Sequence, residues 1–296
     1  MVFVAGMFLS SFGSDANIRC EPESKPKTEL SNRKVVNQMR IGRSMLYTLS
    51  EPFSKMIKQL GAVDETFVEV VDEGTHTLSR RRVAVLNEIA EKKGLRFSVH
   101  APFADINPAS PSRSMLKASL KRLKLSMQYA RDLDAYLWVF HPGCKSGISS
   151  FYPEADWKQN QASVEELYEI ACDFNLKISM ENLPEKYNFL MKTPVDFARF
   201  YEETGLDDIG IVLDTGHANL EGQIQPFLEQ LPKKLVHIHV SDNHGEFDEH
   251  LGLGYGAIDW QIFSAALKAS GFSGTVLAEA VFNVEETLQR LRELFA

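Results

Sequence analysis

The sequence is poor in cysteine, in long apolar runs and in positive charge. Its three cysteines, Cys20, Cys144 and Cys172, are odd in number and show no C-x-x-C spacing. That argues against a zinc ribbon or a disulfide framework and reads as a reducing, cytoplasmic setting. No stretch approaches the ~20 apolar residues that span a bilayer, so no membrane partner is expected. The formal net charge is -8, from 40 acidic and 32 basic side chains. This disfavours a protein built to coat a polyanion, though not a local basic groove. The opening stretch MVFVAGMFLSSFGSD has no basic residue ahead of its apolar run, unlike a secretory signal. A glycine-rich turn is also missing after the first strand-like run, where a doubly wound dinucleotide-binding sheet would carry one.

What is present is periodic. Residues 21–38, EPESKPKTELSNRKVVNQ, are polar and contain proline. They read as the end of a flexible extension, 1–38, ahead of one folded unit, 39–296. In that unit short apolar runs recur: RIGRSMLY (40–47), TFVEVV (66–71), LRFSVH (95–100) and YLWVFH (136–141). LKISMEN (176–182), IGIVLD (209–214), LVHIHV (235–240) and TVLAEA (275–280) follow. Near-continuous apolar strands suit a parallel sheet covered on its outer face. The spacing between them predicts helices over 51–60, 77–93, 112–134, 154–174, 194–204, 221–230, 259–270 and 284–295. Ser112, Thr193 before Pro194, and Asp259 offer N-caps, and Gly94 and Gly271 mark helix ends. Eight strand–helix units define an α/β fold, a single-domain (β/α)8 TIM barrel.

The strand ends are polar. His100, His141, Glu181 with Asn182, Asp214, His239 and Glu279 close six different strands. In a barrel these ends meet at one mouth, where active sites are built. Any one of them alone reads as a hydrogen-bonded structural residue. Together they need a cation, because burying unpaired ionisable groups costs several kcal/mol each, roughly. Carboxylates mixed with imidazole suit Zn, Mn, Fe or Co better than Ca or Mg. His217 follows Asp214 by three residues, and Asp242, His244, Asp248 and His250 follow in the loop after His239. Asp248 and His250 read either as a second ion clamp or as part of a solvated loop. His237, one pleat below His239, reads as a core histidine.

Taken in order, SVHAPF (98–103), FHPG (140–143), SMEN (179–182), VLDTGHA (212–218), HVSD (239–242), DEHLGLGYGAIDW (248–260) and LAEA (277–280) resemble the xylose isomerase-like TIM barrels. The resemblance spans residues 40–296. That superfamily holds sugar and sugar-phosphate isomerases and epimerases, and also endonuclease IV, a zinc-dependent abasic-site nuclease (AP endonuclease family 2). In the isomerase branch the resemblance implies one divalent metal held by Glu181, Asp214, His239 and Glu279. In the endonuclease IV branch it implies three zinc ions, with His100, His141, His217, Asp248 and His250 joining those four. The first strand lacks the nuclease's G-x-H-V-S type opening. The loop VVDEGTHTLSRRR carries Asp72 and Glu73 where DNA phosphates would lie, although Arg80, Arg81 and Arg82 follow.

The sequence therefore points to a metal-dependent isomerase or epimerase of carbohydrate metabolism, acting on a small polyhydroxy substrate through a metal-stabilised enediolate. Glu181 and Glu279 are its catalytic acid–base pair. His100, His141, Asn182, His217, Asp248 and His250 supply further metal or substrate contacts. One ion of Mn, Zn, Co or Fe is expected, and up to three on the nuclease alternative. A non-catalytic metal-binding barrel is the third reading. Nucleic acid is disfavoured as a partner, and a homo-oligomer is left open.

Overall fold

The computed structural model describes residues 39–184 and 186–296. The expectations for residues 1–38 lie outside them. Eight parallel strands close into a barrel in chain order: β1 (Arg40–Ser44), β2 (Phe67–Val71), β3 (Arg96–His100), β4 (Leu137–Phe140), β5 (Ile178–Glu181), β6 (Gly210–Asp214), β7 (Leu235–Val240) and β8 (Thr275–Ala278). The connecting helices are α1 (Phe53–Leu60), α2 (Arg80–Lys93), α3 (Arg113–Asp132), α4 (Ala155–Phe174), α5 (Pro194–Thr204), α6 (Thr215–Asn219), α7 (Ile224–Gln230), α8 (Trp260–Ala269) and α9 (Val284–Phe295). This is a TIM barrel, as the β/α alternation predicts. No helix among the described residues is long and apolar enough to cross a membrane.

Register decides which residues look inward. Side chains alternate across a strand, and parallel neighbours in register share a face. Glu69 pairs with Ser98, His100 with Val139, Val139 with Ser179, Val212 with His237 and Asp214 with His239. The residues between them, such as Val99, Phe140, Met180, Leu213 and Ile238, pack outward into the main core. Inside the barrel the apolar content is small: Leu137, Val139 and Val212, with Tyr136 against them. The apolar runs thus stabilise the sheet–helix layer and leave the interior free to carry polar side chains.

Some boundaries differ from the sequence reading. β1 stops at Ser44 because Leu46–Thr48 form a 3₁₀ turn, although the apolar spacing continues through Tyr47. His141, Asn182 and Glu279 sit one residue past their strands, at the start of the loops. Thr193 and Asp196 form a full capping box, and Asp259 accepts the N–H groups of Gln261 and Ile262. Ser112 occupies the cap position of α3 without a side-chain cap bond. Gly94 and Gly271 take φ of 71° and 73°, the left-handed turn that ends α2 and follows α8. Cys144 is a free thiol.

Candidate metal centre

Glu181 lies at the middle of the mouth. Its Oε2 is 3.2 Å from Nε2 of His100, 3.4 Å from Nε2 of His141 and 3.5 Å from Nδ1 of His239. Its Oε1 is 3.4 Å from Nδ1 of His217. From across the mouth, Glu279 brings Oε2 to 2.9 Å from Nδ1 of His239. Asp214 caps α6, accepting the His217 N–H at 2.7 Å. That cap turns the chain into a helix directly after β6, which is why His217 returns over the mouth. Asn182 braces the same point. Its Oδ1 accepts the Asp214 N–H at 2.7 Å and its Nδ2 donates to the Asp214 carbonyl at 3.3 Å. Both ends of its amide therefore bind backbone.

Ligand atoms of Glu181, Asp214, His239 and Glu279 all lie within 4.8 Å of one another, and all four residues are buried. Asp214 Oδ2 and both ring nitrogens of His239 have no hydrogen-bond partner. Buried polar atoms are normally satisfied, so convergent orphans of mixed N and O type fit a divalent cation. Bonds of about 2.0–2.2 Å to one ion would leave neighbouring ligand atoms roughly 3 Å apart, close to the spacings observed. The donor set fits the group. A second cluster joins His217, Asp248 and His250. Oδ2 of Asp248 is 3.2 Å from Nε2 of both histidines. His250 has a φ of 48°, a left-handed conformation that a side chain as large as histidine adopts at a cost.

The histidines are oriented from outside. Nδ1 of His100 donates to the Ala101 carbonyl, Nδ1 of His217 to that of Asn182 and Nδ1 of His250 to that of Glu279, at 2.9, 2.8 and 3.2 Å. In each, Nε2 is left facing a site carboxylate. This is the arrangement that fixes a metal-binding imidazole.

Burial pushes the site carboxyls up, and the histidines oppose it. Glu181, facing His239, His141 and His100, is held well below the usual carboxylate range despite burial. Glu279 is lowered as well, burial being outweighed by His239. Asp214 goes the other way: burial dominates and, despite His217, with Glu279, Glu181 and Asp248 nearby, it rises to about 7. Burial lowers His141. For His239 and His217 the surrounding carboxylates overcome burial and raise both well above normal. His100 and His250 rise to about 9 for the same reason, against burial. A cation and these protons would compete for the same carboxylates.

Other sequence candidates have different work. Asp242 accepts the N–H groups of Asn243, Gly254 and Ile258 and the Trp260 indole, so it anchors the loop over 242–260. Gly256 is required there, because a Cβ would meet Asp242 Oδ1 at 2.3 Å. His244 is exposed and pairs with Glu249. Asp72 is buried against Arg122, and Glu73 accepts the N–H groups of Phe103 and Ala104. Both carboxylates thus make contacts within the fold. His237 is fully buried one pleat below His239. The sequence reading missed Glu69 altogether. Its signal was a single charge inside the apolar run TFVEVV, at a position that must face inward.

A closed (β/α)8 barrel whose mouth gathers three buried carboxylates and a cluster of histidines defines a class: TIM-barrel proteins with buried His/Glu groups consistent with a divalent-metal site. Residues 58–294 match the family described as xylose isomerase-like TIM barrel. The chain belongs to that family. The uncharacterised protein MJ1311 of Methanocaldococcus jannaschii is 32% identical over 259 residues, covering 86% of this chain and 88% of its own. The crystal structure of a D-tagatose 3-epimerase-like protein superposes with a TM-score of 0.81 at 30% identity, covering 86% of this chain and 97% of that one. L-ribulose 3-epimerase of Mesorhizobium japonicum is 24% identical over 201 residues, 67% of this chain and 66% of the enzyme.

Proposed function

We propose that the protein is a divalent-metal-dependent isomerase or epimerase of a sugar or sugar phosphate, working by proton transfer. The observation that carries this reading is the approach of both Glu181 and Glu279 to His239 Nδ1, at 3.5 and 2.9 Å, with Asp214 completing the group. Glu181, Asp214, His239 and Glu279 would hold one ion. Such an ion supplies Lewis-acid compensation for negative charge on adjacent substrate oxygens.

Each residue then has a task. One of Glu181 and Glu279 removes the proton from the carbon beside the carbonyl, giving the enediolate of the substrate. The other returns a proton: to the opposite face for epimerisation, or to the neighbouring carbon for a shifted carbonyl. The two carboxylates come from β5 and the end of β8, across the mouth, which suits attack from two sides. His141 and His250, both partly open to solvent, are placed to bind substrate hydroxyls. Phe103 packs against the rings of His100 and His141, 5.4 Å centre to centre in each case, and gives the entrance an apolar wall. The names of the two epimerase relatives support a ketose substrate.

A second reading has an observation of its own. The His217–Asp248–His250 cluster favours a three-ion phosphodiester hydrolase. One experiment separates the two. The metal-loaded protein is incubated in deuterium oxide with a panel of ketoses and their phosphates, and in parallel with an oligonucleotide carrying an abasic site. Deuterium at the carbon next to the carbonyl, without strand cleavage, is the expected result. Cleavage without exchange would overturn it.

A further inference from the structure

We infer that Glu69 is the positioning residue of the centre: it holds Nε2 of His239 so that Nδ1 faces Glu181, Asp214 and Glu279. This rests on the reading of His239 as a metal ligand. A histidine binds a metal through one nitrogen, and whatever holds the other nitrogen fixes the ring and its tautomer. For His100, His217 and His250 the outer nitrogen is Nδ1, and each is held by a backbone carbonyl. His239 is different. It sits inside β7, where the neighbouring carbonyls are engaged in the barrel ladders with β6 and β8. Its inward-facing nitrogen is Nδ1, and its outer one, Nε2, points down the barrel. The group that meets it there is Glu69 Oε1, at 3.0 Å.

Glu69 is itself held for that task. It is fully buried, and no lysine or arginine among the described residues pairs with it. Its other oxygen accepts the Ser98 hydroxyl at 2.9 Å, and Ser98 in turn accepts the Tyr136 hydroxyl at 3.3 Å. Strand register places Glu69 beside Ser98, so the contact is built by β2 and β3. His237 approaches only to 3.6 Å. Oε1 and Nε2 stand at ion-pair distance without in-line hydrogen-bond geometry, and neither has another hydrogen-bond partner. A carboxylate sealed in a barrel is costly unless it faces a positive or N–H-bearing group. With Nδ1 turned to the mouth, the Nε2–H of His239 is that group. The result is a carboxylate–histidine–metal relay seated one layer below the mouth.

The test compares the full-length protein with its Glu69→Gln variant, each stripped with a chelator and titrated with zinc alone in competition with a chromophoric chelator. The expected result is zinc affinity about 10–100-fold weaker in Glu69→Gln, the range seen when such outer partners are lost, with the Tm of the stripped protein unchanged or higher. Unchanged affinity with a lower Tm would show a merely structural glutamate and overturn the inference. A second measurement needs no variant. Nitrogen-15 NMR of the zinc-loaded protein should find the His239 proton on Nε2 and the metal-shifted resonance on Nδ1; the opposite assignment overturns the inference whether or not Glu69→Gln folds. If the unaltered protein retains no zinc, this inference and the proposed function fall together. If it binds zinc and Glu69→Gln binds it equally, only this inference falls.

Discussion

At the scale of single residues, the account turns on two carboxylates. Glu279 brings Oε2 to 2.9 Å from Nδ1 of His239, and the proposed function makes it one of the acid–base pair. Glu279→Gln keeps the shape and removes the base. It should lower kcat by about 10²–10⁴-fold in a ketose epimerisation assay and abolish C–H exchange, with the circular dichroism spectrum unchanged. Retained exchange would remove Glu279 from the acid–base pair. Asp248 probes the second cluster. With one ion at Glu181, Asp214, His239 and Glu279, Asp248→Asn should leave metal content unchanged and affect mainly KM. A drop in bound metal would place an ion at Asp248.

At the scale of elements, the polar ends of the strands are legible because the barrel has one rule: every strand delivers its C-terminal residues to the same mouth. His100, Asp214, His239 and Glu279 follow from that rule and a count of strands. Glu69 and Asp242 do not. Glu69 lies mid-strand, and its partner, Nε2 of His239, is set by the register between β7 and its neighbours rather than by either sequence segment. Asp242 looks like a ligand in HVSD, yet its oxygens are consumed by backbone N–H groups up to sixteen residues away. Its role depends on how the loop closes, which local sequence does not encode. Asp242→Ala should cost about 3 kcal/mol in urea unfolding, since several buried donors lose their acceptor. Activity should fall as well, because the loop that seats His250 is released. Wild-type stability in this variant would show that the loop is anchored elsewhere.

At the scale of the whole molecule, charge couples the site to stability. His100 and His250 are raised from 6.5 to about 9 by facing carboxylates. Their pairing stabilises the fold fully below about pH 6.5, the unfolded value, and is lost as pH rises through about 9. In chelator, the Tm should therefore fall across that window. A saturating divalent ion at Glu181 replaces the His100 proton that faces it, so its stabilising shift in Tm should be larger near pH 8.5 than near pH 6. A shift independent of pH would mean that the ion and these protons do not share a site.

The central claim is a single divalent ion at Glu181, Asp214, His239 and Glu279. The most direct test is the metal content of the protein purified without chelator, by elemental analysis alongside native mass spectrometry. The account predicts one transition-metal ion per chain, lost in Asp214→Asn and His239→Ala. Three ions per chain, or none, would contradict it.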